Sequence, residues 1–400
     1  MKKKAKRALI VVLSILAAVA VALVVLMALS SSPIDKAAAV AAMRDLVRKD
    51  VASSKDSTAT TVRIQSGKLG IDELFAFEKD GSGAAVETGA DQPFHIASIG
   101  KTFTAVLVMQ LVQEGKLGLD AHVADVLDDS VLEGLFVFEG TDHADQVTVR
   151  QLLAHTSGVA DYFDDPVDTG EKASARVLSD PTHDWTPAEL VAFSRDHQKA
   201  VGKPGATYHY SDTGYVLLGL IVEAVSGKPF EQNLAERIFL PLGMDDSYLL
   251  YRSQPKNLPA KPIAKIRFSG VEVSTFRSLS VDWAGGGIVS TTADLLVFCR
   301  ALHDGTLVSA ASFTEMSRFE NTFRTGIHTG AGLMQLRFEE FFPLLSGYPR
   351  MTGHIGVLST FMFYDAVHDA VVVMNYGSDA HMETGFRNLI QIEGMLARIR

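Results

Sequence analysis

Ser98-Ile99-Gly100-Lys101 joins a strand-like run, Phe94-His95-Ile96-Ala97, to an apolar-periodic helix predicted over 102–114 and closed by Gly115. Residues three apart share one face of a helix, so Ser98 and Lys101 are expected to point the same way from its first turn. A hydroxyl is a weak nucleophile until a base takes its proton, and a lysine can do so once burial and neighbours lower its pKa. The same spacing recurs at Ser253-Gln254-Pro255-Lys256, where the proline does not suit the interior of a helical turn. A Ser-x-x-Lys alone also describes helix capping beside a solvated lysine, so its surroundings decide the reading.

Upstream of the motif, strand patterns occupy 61–65, 74–78 and 84–88, with Gly70 and Asp80-Gly81 as turn markers. Downstream, Thr148 is a plausible N-cap for a helix over 149–154, and Thr186-Pro187 opens another with proline at its first position. A strongly apolar helix is predicted over 213–225, closed by Ser226-Gly227, and a further helix follows Gly285-Gly286-Gly287 with Thr292 near its start. Strand patterns return at 359–365 and 370–375 before a last helix over 382–398. Strands at both ends with helices between them predict an α/β (α+β) fold with one antiparallel sheet built from both chain ends, flanked by helices, plus a mostly helical lobe. The sheet lobe is expected from about 61–97 and 280–398, and the helical lobe from about 98–279.

The N-terminus reads separately. Five of the first seven residues are basic (Lys2, Lys3, Lys4, Lys6, Arg7), and an apolar run from Ala8 to Leu29 is relieved only by Ser14. At about 1.5 Å per residue such a run spans a bilayer core, and it exceeds the apolar region of about 7–15 residues usual in a cleaved leader. Residues 8–29 are therefore expected to be an uncleaved single-pass anchor, with 1–7 cytoplasmic and everything after Ser32 outside the cell membrane. Cleavage near Ala28–Ser32, which would release the body, is the alternative. Residues 30–60 read as a helix over 35–49 and a polar link over 53–60. Without the five basic residues the formal charge falls from −10 to −15, which argues against nucleic acid as a partner. The single cysteine, Cys299, falls in a helical pattern and forms no intrachain disulfide.

Two further fragments accompany the Ser98 motif. Tyr210-Ser211-Asp212 precedes the apolar helix, and a phenol near a lysine and a serine can share proton transfer. His354-Ile355-Gly356-Val357 precedes a strand, where glycine lets a substrate backbone lie close and a following N–H can face an oxyanion. Their order resembles the serine beta-lactamase and penicillin-binding protein superfamily, in the branch of class C beta-lactamases, D-alanyl-D-alanine carboxypeptidases and related esterases. Supporting text includes Leu152-Leu153-Ala154-His155-Thr156-Ser157-Gly158, Tyr210–Gly219, Gly286-Gly287-Ile288-Val289-Ser290-Thr291 and Val371–Asn375, collinear over roughly 60–398. The resemblance implies that Ser98 is the acylated nucleophile, Lys101 its proton acceptor and Tyr210 the group that protonates the leaving group. It implies an oxyanion hole from the N–H groups of Ser98 and Val357 beside Gly356, with His354 where many relatives carry lysine. It requires no metal and no cofactor.

Two positions depart from the family pattern. Asp212 stands where Asn is usual, and an ionised Asp only accepts hydrogen bonds. Asp212 therefore either turns toward Lys101 or meets a donor on the substrate. His354 for Lys weakens fixed positive charge at neutral pH. Both disfavour beta-lactams and leave esters and amides open. Two other registers exist: Ser211-Asp212-Thr213 as a Ser-Asp-Asn equivalent, and His328-Thr329-Gly330 in place of His354. His155 is expected to bond a loop backbone, Trp185 and Trp283 to sit in core or lobe interface. The expectation is a membrane-anchored extracytoplasmic serine hydrolase acting on D-amino-acid peptides, cell-wall fragments or small esters. The alternatives are a true beta-lactamase, a non-catalytic binding module of the same fold, and an ectodomain docking a partner through an acidic insertion at 161–184. The oligomeric state is left open.

Overall fold

A computed structural model describes residues 32–54, 59–257 and 262–400. The expected anchor at 8–29 and its basic flank lie outside the described residues. Among those described, no helix is long and apolar enough to cross a membrane.

Nine antiparallel strands form the main sheet. Three come from the N-terminal part: β1 (Ala59–Ser66), β2 (Ile71–Lys79) and β3 (Ala85–Glu87). Six come from the C-terminal third: β4 (Asn321–Arg324), β5 (Ile327–Thr329), β6 (Met334–Leu336), β7 (Met351–Gly356), β8 (Thr360–Asp365) and β9 (Ala370–Asn375). Their spatial order is β4-β5-β6-β7-β8-β9-β1-β2-β3. The two chain ends meet at β1 and β9, with Thr61 opposite Asn375 and Ser66 opposite Ala370.

Successive residues of a strand face opposite sides of the sheet, and β9 uses both sides. Val372 and Met374 pack with helix α1 (Lys36–Ser53) and a C-terminal helix, while Val371 and Val373 join the core of the helical lobe. All six residues of β9 are buried, which accounts for its unbroken apolar run. Helix α1 contributes Ala39, Met43, Val47 and Val51, a period of four that lays one stripe on the sheet. The chain has therefore entered the globular body before the polar stretch expected to lead into it, and α1 is a layer of the sheet lobe.

The helical lobe is organised around α2 (Gly100–Gln113) and α3 (Asp212–Ser226), both buried along most of their length. Ser211 caps α3 by accepting the Gly214 N–H, and Gly227 ends it in the left-handed conformation. Thr148 and Thr186 both cap their helices as full capping boxes, with Gln151 and Glu189 returning the bond. Helix α4 (Thr292–His303) lies on the lobe side of β9 and β1, and α5 (Met382–Leu396) covers the other side beside α1.

Candidate active site

Ser98 lies in a 3₁₀ turn, Ala97–Ile99, ahead of α2. The strand before it stops at His95, because Ala97 adopts a φ of +49°. That conformation is unfavourable for a residue with a Cβ and turns the chain out of the extended path. The strand expected through Ala97, and a Ser98 within the helix proper, are corrected accordingly. The consequence for the side chains is small. Lys101 occupies the first turn of α2, and its fully buried Nζ donates to Ser98 Oγ at 3.2 Å and to the Gly285 carbonyl at 2.9 Å. Its third partner is the Asp212 carboxylate, so all three ammonium protons have acceptors. A Cβ at position 285 would stand 2.7 Å from Asp212 Oδ1, so glycine is what admits that carbonyl to the cluster.

Tyr210 stands over the same lysine, with Nζ 5.0 Å from its ring centroid. Burial and then the Asp212 charge push its phenol well above the ordinary value, and the neighbouring Ser98 side chain works against them. Tyr210 is thus a neutral phenol at rest. Its ring stacks on His155 at 4.3 Å, and His155 Nδ1 accepts the Ser211 backbone N–H at 3.0 Å. Burial, reinforced by Lys101, keeps His155 uncharged, so it acts as a flat support for Tyr210 that fixes the approach to α3.

A cavity of about 930 Å³ opens onto Ser98. Gly356 and Val357 line it from the end of β7, opposite Tyr210 and Asp212. A Cβ at position 356 would come within 2.7 Å of the Ile96 carbonyl, so glycine lets β7 close against the turn that carries Ser98. The cavity is bordered by Asp161, Asp164, Asp165, Asp282 and Glu383, by Phe163, Phe268, Phe323 and Phe386, and by Arg324.

Residues 43–388 match the family described as Beta-lactamase. The chain belongs to the beta-lactamase family. Penicillin-binding protein 4 of Amycolatopsis lactamdurans is 32% identical over 262 residues, 60% of this chain and 59% of the relative. The chain spans about half the length of the curated relatives it matches, at 59%, 54% and 47% for three of them. Among solved structures, a D-stereospecific amidohydrolase from Streptomyces sp. is 26% identical with a TM-score of 0.71, covering 88% of this chain and 98% of that one. D-amino acid amidase from Ochrobactrum anthropi SV3 is 25% identical with a TM-score of 0.70, again over 88% and 98%.

Within this beta-lactamase fold the two departures resolve differently. Asp212 turns toward Lys101, the first of the two arrangements its sequence allows. His354 is buried on β7, with its Nδ1 accepting the Ile355 N–H at 2.9 Å. Burial, then the nearby Lys101, depress its pKa to about 3. A neutral, enclosed imidazole cannot stand in for the charge of a lysine at this place, and His354 is not among the residues lining the cavity. His328 pairs instead with Glu340 at 2.8 Å, and Ser211 is occupied in capping α3 and donating to the Ala160 carbonyl at 2.8 Å. Neither His328 nor Ser211 lines the cavity.

Asp161 and Asp282 are the residues that the sequence pattern did not single out as functional. Asp161 receives the backbone N–H of Asp212 at 3.0 Å, and burial plus the Asp212 charge raise it to about 7. Asp282, with a fifth of its side chain exposed, is raised to about 7 by desolvation and then Asp212. It faces His95 Nε2 at 3.5 Å, and burial lowers that imidazole to about 4, so this contact joins two groups that favour their neutral forms. Asp161 opens the stretch read as an acidic insertion, and Tyr162 beside it is anchored to the Val281 carbonyl at 2.6 Å. The stretch begins as a wall of the cavity.

Proposed function

We propose that this protein is a serine hydrolase that cleaves amide bonds of small amino-acid derivatives carrying a free ammonium group, through an acyl-enzyme on Ser98. The observation that carries the reading is the meeting of Ser98 Oγ, Lys101 Nζ and the Tyr210 hydroxyl at the floor of one cavity.

Ser98 Oγ attacks the substrate carbonyl carbon, forming a C–O bond while its proton passes to the amine of Lys101. Lys101 takes that part as the free amine, with the Asp212 carboxylate and the Gly285 carbonyl holding its nitrogen beside Ser98. The backbone N–H groups of Ser98 and Val357 receive the oxyanion, each such donor stabilising the transition state by about 3–4 kcal/mol. Tyr210, kept protonated by burial, gives its proton to the departing nitrogen and is replenished from Lys101. The C–N bond breaks, and the amine leaves. Water then attacks the ester by the same route in reverse, releasing the acid and restoring Ser98.

The choice of substrate rests on charge. Six carboxyl groups, two of them (Asp161 and Asp282) raised to about 7, and one arginine border the cavity, which favours an ammonium over the carboxylate that beta-lactams carry. The phenylalanines among them offer an apolar place for a side chain. The amidohydrolase and D-amino acid amidase with this fold support the assignment of amides, and of D-configured ones. Membrane anchoring through 8–29, with the body outside the cell, belongs to the same proposal and rests on the basic flank and the apolar run.

Incubation with a fluorophosphonate or a fluorescent penicillin tests the chemistry. A covalent adduct that disappears in Ser98→Ala is expected, and no adduct with any acyl donor would point to a non-catalytic binding module. A panel of D- and L-amino-acid amides, esters and beta-lactams then orders the substrates. Faster turnover of N-acylated amides than of free-amine ones would overturn the charge argument. Fractionation of the intact chain against one starting at Ser32 checks the anchor.

A further inference from the structure

We infer that Asp365, His368 and Glu393 form a structural binding site for a divalent transition-metal ion, on the opposite end of β8 from the Ser98 cavity. Asp365 ends β8, His368 lies in the turn to β9, and Glu393 projects from α5. One ligating atom from each lies within 4.8 Å of the other two. Donors about 2.1 Å from a shared ion sit at such separations after a small adjustment.

Glu393 is what sets this cluster apart from an ordinary acidic group. It is completely buried, and neither carboxylate oxygen has a hydrogen-bond donor among the described residues. An isolated buried carboxylate is strongly unfavourable unless a proton or a cation compensates it. A single proton shared with Asp365 satisfies one oxygen of Glu393 and leaves the other bare. A divalent cation can engage Glu393 through one or both oxygens while also reaching Asp365 and the imidazole. The other two donors are already held in place: Asp365 accepts the Val367 N–H at 2.7 Å and the His368 N–H at 3.3 Å, and His368 Nδ1 contacts Asp365 Oδ2.

The donor set decides the class of ion. One imidazole nitrogen with two carboxylates suits Zn²⁺, Mn²⁺, Co²⁺ or Fe²⁺, whereas Ca²⁺ and Mg²⁺ prefer oxygen alone. Its role follows from position. Thr360, at the other end of β8, donates to the Ile96 carbonyl next to the Ser98 turn. Five steps of about 3.3 Å along the strand place the cluster about 16 Å away, too far to touch substrate. The ion would tie the β8–β9 turn to α5, and binding only to the folded chain raises stability by mass action.

The full-length chain, stripped with a chelator, is titrated with Co²⁺ by absorbance and with Zn²⁺ by calorimetry, and its melting temperature is followed with and without metal. One equivalent bound, a higher melting temperature, and unchanged kcat are expected. Glu393→Gln and His368→Ala should each weaken binding by at least about tenfold. His368 is partly exposed, so its variant keeps the test open if Glu393→Gln does not fold. Absence of binding to the parent chain would overturn the inference, as would binding that both variants retain. A melting temperature raised by Glu393→Gln, with no metal bound by either protein, would overturn it in favour of a shared proton.

Discussion

Strand β9 and the floor of the cleft are both buried, yet they are built from different side chains. In β9, Val371 and Val373 face one core while Val372 and Met374 face the other, and backbone pairing to β1 and β8 satisfies the polar atoms. At the cleft, Lys101, His155, Asp161 and His354 are enclosed around half-buried Tyr210. Apolar burial stabilises the fold by roughly 25 cal/mol per Å² removed from water. Enclosing ionisable groups works the other way unless each finds a partner, and it shifts their protonation. The sheet supplies stability, and the cleft uses some of it to hold groups in reactive states.

Substitutions on the two sides should therefore separate activity from stability. Lys101→Ala is expected to lower kcat/KM by about 10²–10⁴-fold, read with the preferred amide. It also strands Asp212, so a lower melting point should accompany it. Met374→Ala on β9 should behave in the opposite sense. It is expected to lose about 2–5 kcal/mol of unfolding free energy in denaturant titration, with kcat per folded molecule unchanged. Equal effects of the two variants on both measurements would erase the contrast.

Asp282→Asn sharpens it further. A carboxyl raised from 3.8 to about 7 in the folded state holds a proton that the unfolded chain has lost. Its favourable contribution is complete below pH 4 and is lost as pH rises through 7. Removing the ionisable group should flatten stability across that window and make the variant more stable than the parent at pH 8, by an amount on the order of a few kcal/mol. Denaturation at pH 4, 6 and 8 checks the slope, and an unaltered slope would mean that Asp282 titrates normally. For Asp212→Asn the ratio between substrates is the readout, since the change also removes the carboxylate partner of buried Lys101. It restores a donor toward a substrate carbonyl, and should shift kcat/KM by about tenfold in favour of carboxylate-bearing amides relative to free-amine ones. A ratio unchanged across the panel would place Asp212 out of contact with substrate.

The same contrast explains what the sequence made readable. Elements that bury a periodic stripe announce themselves: α3, α5 and β9 lie within a few residues of where their patterns put them. Thr186-Pro187 and Ser226-Gly227 marked helix ends because capping chemistry is local. Ser98 and Lys101 were legible because the spacing of three survives the change from a 3₁₀ turn to the first turn of α2. Asp161, Asp282 and Gly285 were not, since each approaches Lys101 or Asp212 across a long loop and leaves no period behind. Ala97 hid for a related reason: nothing in its identity signals a left-handed φ, which tertiary contacts impose. His354 was found, but its charge state depends on burial that no spacing reveals.

The pairing of β1 with β9 has a consequence for timing during synthesis. Ser98, Lys101, Tyr210 and Asp212 all emerge early, but Gly356 and Val357 follow much later, and β9 later still. A nascent chain ending at residue 320 holds Ser98 without the strand edge beside it. On the proposed mechanism, chemistry waits until β7 to β9 have emerged and paired with β1.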